Sequence, residues 1–496
     1  MTNPLAPASV APAETPDTVG ADSAWILAPQ RGFAPEVFAA RRARVADALR
    51  AAGGGIALIA SAPAPVRSRD SEFPYRQDSS FFYLTGFNEP DALLVIDSRG
   101  RGSADQPGST LFCREKDPLR ETWEGFHYGP VAARDTFGFD LALPNSARDG
   151  HVPDLIVGTA VIAYPLLTHG PLEADVARWL RDARGRRRVT TPGLVLDLAR
   201  IVEPMRQVKD VHEIARMRTA GRISAQAHIR AMQASRVGIP EYALEAELLY
   251  HFRRSGAQFP AYTSIVAGGA NACTLHYAAG DYVLRDGDLV LIDAACELDG
   301  YASDITRTFP ANGRFTGPQR TLYDIVLAAN EAAVAATRPG ARFDDAHQAA
   351  LRILTQGMLD TGLLKRDAHG SVEDAIADRA YARFYMHSTG HWLGLDVHDC
   401  GDYIDTATPS DSQTEAPKAS SDAGKAAPRS TLLQPGMVST IEPGLYVRRA
   451  DDVPPEYWDI GIRIEDNAVV TDSGCTLLTR DVPVSADEIE ALMRGT

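Results

Sequence analysis

Cysteine is scarce in this chain and is never spaced for a metal or a disulfide framework. The five cysteines, Cys113, Cys273, Cys296, Cys400 and Cys475, are odd in number, widely separated and without a C-x-x-C pair. Neither a thiolate zinc site nor a stapled secreted scaffold is indicated, and reduced thiols acting as small apolar side chains are expected. Basic charge is also short. The 50 Lys and Arg are outnumbered by 65 Asp and Glu, and a formal charge of −15 has the wrong sign for gripping nucleic acid. No run approaches the roughly 18 consecutive apolar residues of a membrane-spanning helix, so none is expected. Residues 1–30 contain neither a basic n-region nor a continuous apolar stretch, so no secretory signal is visible and a cytoplasmic location is expected.

What is present is the composition of a globular protein: 496 residues, 45% hydrophobic and 23% charged, enough for two or three domains at roughly 150 residues each. Residues 1–30 are rich in Ala, Pro, Thr and Asp with few large apolar groups, and read as a disordered tail. From Pro35 to Ala52 the apolar spacing predicts a helix, stopped by Gly53-Gly54-Gly55. Short apolar runs follow as predicted strands: IALIAS, LLVID near 93–97, STLFC near 109–113 and LIVGTAVIAY near 155–164, with a helix over Leu172–Arg184. This alternation predicts a small α/β domain over 31–206. The remainder, 207–496, opens with helices over 211–232 and from Pro240. It carries another helix pair over Gln319–Thr337 and from Asp344 to about Leu359, with strand-like runs around them, which predicts an α+β domain. Within it, residues 404–430 are Ser-, Ala-, Pro- and Asp-rich and read as a disordered surface insertion without a catalytic role.

The segment DLVLIDAACELDGYASDITRTF, residues 288–309, alternates apolar residues on both sides of Asp299-Gly300 and reads as a β-hairpin with a two-residue turn. With that turn, Asp293 and Asp304 lie one diagonal step apart on one face, so two carboxylates converge. A surface hairpin with two solvated aspartates is the alternative from this segment alone. Asp293, however, ends the apolar run LVLI, where a bare carboxylate is costly without a cation or hydrogen-bond donors. Glu442 ends another such run in MVSTIEPGLYV and is followed by Pro443-Gly444, which stops the ladder. In DIGIRIEDNAVV, Arg463 and Glu465 share the face opposite Ile460, Ile462 and Ile464, either beside a site or as a structural ion pair.

His387, His391 and His398 fall within MHSTGHWLGLDVHD, and His276 follows the small-residue loop AGGANA; the H-E-x-x-H zinc-protease motif is absent. Taken singly, each histidine reads as a satisfied core residue; four of them together with carboxylates at apolar strand ends do not. Four carboxylates and an imidazole form an oxygen-rich set suited to a pair of hard or borderline divalent cations, Mn²⁺ before a thiolate-loving metal. Paired metals of this kind imply hydrolysis.

The order LIDAACELDGYASDITRTFP, HSTGHWLGLDVHD, STIEPGLYV and GIRIED closely resembles the catalytic domain of Xaa-Pro aminopeptidase (aminopeptidase P), within the metallopeptidase family that includes prolidase, methionine aminopeptidase and creatinase. RDSEFPYRQDSSFFYLTGFNEPDALLVI resembles the N-terminal domain of the same enzymes. The resemblance implies a pita-bread α+β catalytic domain preceded by a smaller α/β domain. It implies that Asp293, Asp304, His391, Glu442 and Glu465 bind two divalent metal ions, usually manganese, with Asp304 and Glu465 spanning both and Glu442 handling the proton of the attacking water. By the same match His276, His387 and His398 would contact substrate and assist proton transfer, Arg463 would orient the carboxylates, and Tyr446 would border the substrate. The implied activity is release of the N-terminal residue from peptides with proline in the second position, and homo-oligomerisation is implied as well. The bond before proline is a tertiary amide without an N–H, so a site that grips backbone N–H groups suits it poorly, whereas metal polarisation makes no such demand.

Two features depart from the family pattern: Ala295 stands where relatives often have Gly, and the 404–430 insertion separates His398 from Glu442 more than is usual. The nearest rival reading is a prolidase restricted to Xaa-Pro dipeptides. A non-catalytic binding module is a more distant one, since all five ligand positions hold competent side chains.

Overall fold

The computed structural model describes residues 32–100, 102, 106, 108–405 and 429–495. The tail expected over 1–30 and most of the 404–430 insertion therefore lie outside the described residues.

The chain enters through helix α1 (Pro35–Ala51), which has proline in its first turn and buries Phe38, Val45 and Leu49. Gly53 and Gly54, both at positive φ, stop it and feed strand β1 (Gly55–Ala60). Gly55 lets that strand reach its neighbour: a Cβ there would sit 2.0 Å from the Val161 carbonyl oxygen. Helix α2 (Ser79–Thr85), capped by Asp78, precedes strands β2 (Leu93–Asp97), β3 (Ser109–Cys113) and β4 (Leu141–Pro144). Helix α3 (Arg148–Ile156), strand β5 (Val161–Tyr164), helix α4 (Gly170–Arg184) and strand β6 (Leu194–Asp197) complete this part.

The six strands form one mixed sheet in the order β4-β3-β2-β1-β5-β6. Alternating residues face opposite layers, as the two-residue period requires. Ile56, Leu58, Val95 and Ile162 pack on Val152, Val176 and Trp179 of α3 and α4, whereas Ala57, Ile59, Leu94 and Ile96 pack on α1, α2 and the following half of the chain. The run 155–164 is not one strand as expected. Leu155 and Ile156 end α3, Gly158 turns the chain at φ 81°, and the strand starts at Val161. A short apolar run cannot by itself distinguish a buried helix end from a strand.

Helix α5 (Ala199–Gln207) leads into α6 (Val211–Ala234), whose start is a capping box between Asp210 and Glu213, and then α7 (Glu241–Arg254). The second half adds strands β7 (Phe259–Pro260), β8 (Ile265–Gly268), β9 (Leu289–Asp293), β10 (Cys296–Leu298), β11 (Tyr301–Ala302) and β12 (Thr306–Pro310). Helices α8 (Gly317–Ala336) and α9 (Phe343–Asp360) follow. Strands β13 (Val438–Ile441), β14 (Gly444–Val447), β15 (Ile460–Arg463), β16 (Asp466–Val470) and β17 (Cys475–Leu477) come next, and helix α10 (Ala486–Arg494) closes this part.

The Asp299-Gly300 turn is where the sequence predicts it, with both residues at positive φ and Leu298 opposite Tyr301. The same register carries Asp293 opposite Thr306. The hairpin is shared between two small sheets, because β9 pairs with β12 on one side and β8 on the other, whereas β10 pairs with β11 and β7. A matching break at Glu442-Pro443 sends β13 into the β13-β16-β17 sheet and β14 into a pair with β15. The acidic residues sit at these breaks, where the ladder opens.

The two halves are locked beside the His398 segment. Asp399 is buried between Arg206 (2.6 Å) and Lys209 (2.9 Å), Arg206 also reaches Asp396 (2.7 Å), and Ser79 of α2 donates to Asp396 (2.6 Å). The ends of the insertion are likewise pinned, with Ile404 bridged to Ser430 and the Asp405 N–H donating to the Arg429 carbonyl at 2.9 Å.

Candidate metal centre

Asp293, Asp304, His391, Glu442 and Glu465 converge on one cavity of about 530 Å³, together with His276, His387, His398 and Arg463. Asp304, His391 and Glu465 offer ligand atoms within 4.8 Å of one another. His391 Nε2 lies 3.5 Å from Asp304 Oδ2 and 3.5 Å from Glu442 Oε1. The other ring nitrogen, Nδ1, donates to the Trp392 carbonyl at 2.9 Å, which leaves Nε2 directed at the carboxylates.

Arg463 does not pair with Glu465, its near neighbour along the chain. Its guanidinium reaches across to Asp293 (2.7 Å), Thr306 Oγ1 (3.1 Å) and the Tyr446 hydroxyl (2.9 Å). Glu465 accepts instead from the Thr306 hydroxyl at 2.7 Å. Tyr446 is buried behind the cavity. It accepts from Arg463 and donates to His387 Nε2 at 2.8 Å, because His387 Nδ1 is committed to the Ser388 carbonyl at 2.7 Å. His398 stacks against His391 with ring centroids 4.0 Å apart. His276 lines the same cavity beside Leu275, Tyr277 and Ala278.

The electrostatics of the set favour a cation. Burial first, and the Asp304 and Asp293 charges after it, push Glu442 up to about 7 despite the neighbouring His391 and Arg463. Burial, with the same acidic neighbours, holds Glu465 well above the usual carboxylate range and raises Asp304 too. Burial pulls the His391 ring down, but Asp304 and Glu442 outweigh it and lift it to about 9. His387 is lowered to about 4, by burial and then by Arg463, so it is a neutral imidazole. Carboxylates packed this closely keep their charges together only beside concentrated positive charge, and one guanidinium with one imidazole supplies less than four acids require. A divalent ion fits these donors.

Several members of the site are not distinguished in the sequence. The Tyr262 hydroxyl sits between Asp293 Oδ1 (2.6 Å) and Asp304 Oδ1 (2.5 Å). Asn467 holds the Asp304 backbone from both sides, its Oδ1 accepting from the N–H (3.0 Å) and its Nδ2 donating to the carbonyl (2.6 Å). Asn330 of α8, fully buried, donates to the carbonyls of Ile441 (3.1 Å) and Ile464 (3.2 Å), which immediately precede Glu442 and Glu465. Only Thr306, two residues beyond Asp304, had a signal in the two-residue period.

Fold and site together define a metallopeptidase. The profile of "Metallopeptidase family M24" matches residues 215–472, and that of "Aminopeptidase P, N-terminal domain" matches residues 38–163. The chain belongs to metallopeptidase family M24, in its aminopeptidase P branch, and has the pita-bread catalytic fold with the smaller α/β domain before it. It is 42% identical over 442 residues to the Xaa-Pro aminopeptidase of Escherichia coli (strain K12), covering 89% of this chain and 94% of that protein. The solved structure of Pseudomonas aeruginosa aminopeptidase PepP superposes with a TM-score of 0.85 at 42% identity, over 93% of this chain and 98% of that one. Aminopeptidase P from E. coli, solved with the inhibitor Pro-Leu, superposes at 0.83 with 41% identity over 93% and 99% of the two chains.

Proposed function

We infer that the chain is a metal-dependent Xaa-Pro aminopeptidase, which hydrolyses the bond between an N-terminal residue and a following proline. The observation that carries this reading is the convergence of four carboxylates and His391 on one cavity in a chain so similar to Xaa-Pro aminopeptidases over nearly its whole length. We propose Asp293, Asp304, His391, Glu442 and Glu465 as ligands of two divalent ions, Mn²⁺ in the cell. When bound, the metal would polarise the scissile carbonyl and acidify the attacking water.

The chain's own groups supply the rest. Glu442, at the cavity 3.5 Å from His391 Nε2, is proposed to take the proton of the attacking water and return it to the departing proline nitrogen. His387 is neutral, with Nδ1–H on the Ser388 carbonyl and Nε2 accepting from Tyr446, so the ring is fixed at the cavity wall. His276 and His398 face the same space and are proposed to contact the peptide. Arg463 holds the Asp293 carboxyl in place through its hydrogen bond, and Tyr446 ties Arg463 to His387.

Proline in second position fits because none of these roles needs an N–H from that residue. In the E. coli enzyme the inhibitor Pro-Leu begins with proline, as the peptide released by this reaction would. Residues 31–206 are proposed as the N-terminal domain and 207–496 as the catalytic one. A cytoplasmic location and a homo-oligomeric state are proposed with them; among the described residues no helix is long and apolar enough to cross a membrane.

The test compares an Xaa-Pro dipeptide with an Xaa-Pro-Yaa tripeptide in the presence of manganese. Preferred tripeptide cleavage is expected; near-exclusive dipeptide cleavage would make the chain a prolidase.

A further inference from the structure

Glu241, the first residue of α7, has no exposure to solvent and no arginine or lysine as a salt-bridge partner among the described residues. A carboxylate there is costly unless hydrogen bonds replace its water. It accepts four. Oε1 takes the Gly268 N–H (2.7 Å) and Asn271 Nδ2 (3.0 Å), and Oε2 takes the Tyr277 hydroxyl (2.9 Å) and the Gly280 N–H (3.1 Å). All four donors belong to residues 268–280, and the same segment supplies Leu275, His276, Tyr277 and Ala278 to the cavity wall.

Besides the apolar packing of Ala272, Cys273, Leu275 and Tyr277, the segment is tied by Arg448, which donates to the Cys273 carbonyl at 2.9 Å, and by the Tyr242 N–H on the Gly280 carbonyl at 3.3 Å. After β8 it makes one short 3₁₀ turn, Gly269–Cys273, and residues 274–280 lie in no helix or strand. Glu241 thus does for this wall what a ladder of backbone bonds does for a strand. The main-chain N–H of Glu241 adds a further tie to the Tyr282 carbonyl at 3.0 Å, just beyond the segment.

We propose that Glu241 is a positioning residue for the substrate-side wall, acting through His276: it fixes the 268–280 segment at four points so that the His276 ring is presented to the peptide. This rests on the Xaa-Pro aminopeptidase reading above. The requirement is for an acceptor at both oxygens, so Glu241→Gln, although nearly the same shape, turns an NH₂ group toward donors and releases one side of the segment. A displacement of about 1 Å at a group facing substrate is worth about 100-fold in rate.

The experiment is a double-mutant cycle on the full chain with an Xaa-Pro-Yaa peptide and manganese, read as kcat/KM together with bound metal by elemental analysis. Glu241→Gln is expected to lower kcat/KM by about 10- to 100-fold with bound metal unchanged. In a His276→Ala background the same change is expected to cost less than about 3-fold, because its route to the substrate is already gone. Losses that multiply in the double variant, wild-type kcat/KM in Glu241→Gln, or loss of metal along with activity would each overturn the proposal. If Glu241→Gln does not fold, Asn271→Ala removes one of the four donors and is held to the same cycle. Absence of any Xaa-Pro hydrolysis by the unaltered protein would overturn the functional reading instead.

Discussion

Arg463 donates to Asp293 at 2.7 Å across two strands and makes no ion pair with Glu465, which lies two residues away in its own chain segment. A cation is thereby committed to the acid at one edge of the cluster, and the other acids are left to share what enters the cavity. Replacing Arg463 with Ala leaves Asp293 half-buried beside three further carboxylates. Metal affinity should fall about 10- to 100-fold, measured by titrating the EDTA-treated protein with Mn²⁺. Arg463→Lys should recover only part of it, because a lysine cannot reach Asp293, Thr306 and Tyr446 together.

Asp304→Ala and His391→Ala each remove a member of the tightest donor group, with ligand atoms within 4.8 Å. Both variants should remain folded and lose metal-dependent hydrolysis. Elemental analysis of the unaltered protein should give about two Mn or similar ions per chain, as a paired site requires, and fewer in either variant. Full activity in either would contradict the ligand assignment.

Tyr446→Phe deletes one hydroxyl and strands two partners, Arg463 Nη1 and His387 Nε2. Leaving a buried donor and acceptor unpaired costs about 1–3 kcal/mol each, so both stability and the placement of His387 should suffer. The expected reading is a fall of about 10-fold or more in kcat/KM, in line with that cost, with metal content close to normal.

The pH dependence of metal stabilisation follows from the raised carboxyls Asp304, Glu442 and Glu465 and from His391. Glu442 is pushed from the usual 4.5 up to about 7, and His391 from 6.5 up to about 9. Both folded values exceed the unfolded ones, so the folded, EDTA-treated protein holds the extra protons and these groups lose stability for it as pH rises from 4.5 through 9. Metal binding needs these groups deprotonated. The Tm difference between Mn²⁺-loaded and EDTA-treated protein should therefore widen from pH 5.5 to 8, as a ligand-linked proton release requires; a flat difference would count against the ligand set. His228 and His251, both lowered to about 4 chiefly by burial, shift stability the other way in each form and drop out of that difference.

Asp399→Asn tests the lock between the two halves. Asp399 is buried with Arg206 and Lys209 on its two oxygens, and breaking such a pair from one side costs about 3–5 kcal/mol. A clear drop in Tm is expected, and kcat/KM should fall with it because His398 is the adjacent residue.

The proposed ligands were legible for a physical reason. A carboxylate at the end of LVLI or before Pro443-Gly444 conflicts with its apolar setting, and the conflict is visible in one dimension. The Asp299-Gly300 turn was legible too, since its backbone admits few residue types, and it fixed the register that brings Asp293 and Asp304 together. Arg463 and Glu465 share a polar strand face in the sequence, but their hydrogen-bond partners could not be read there, because each reaches across a sheet to a strand far away in sequence. Tyr262, Asn330 and Asn467 gave no warning at all. Their polar groups are satisfied only by tertiary neighbours, and an asparagine inside a helix such as α8 looks like a surface residue until the strand ends above it are known. The run 155–164 was misjudged because apolar length without period does not separate a helix end from a strand.

The bridge between Ile404 and Ser430 means that the chain leaves the catalytic half and rejoins it at a single point. The positions of His398 and Glu442 are set by neighbours outside the bridge, among them the Arg206–Asp399 pair and the Glu442 N–H on the Thr389 carbonyl at 2.8 Å. Lengthening a closed loop costs only about 0.6 kcal/mol per doubling. The bridge is in effect a clasp: a change of length between its two ends is expected to leave the distance between His398 and Glu442 unaltered.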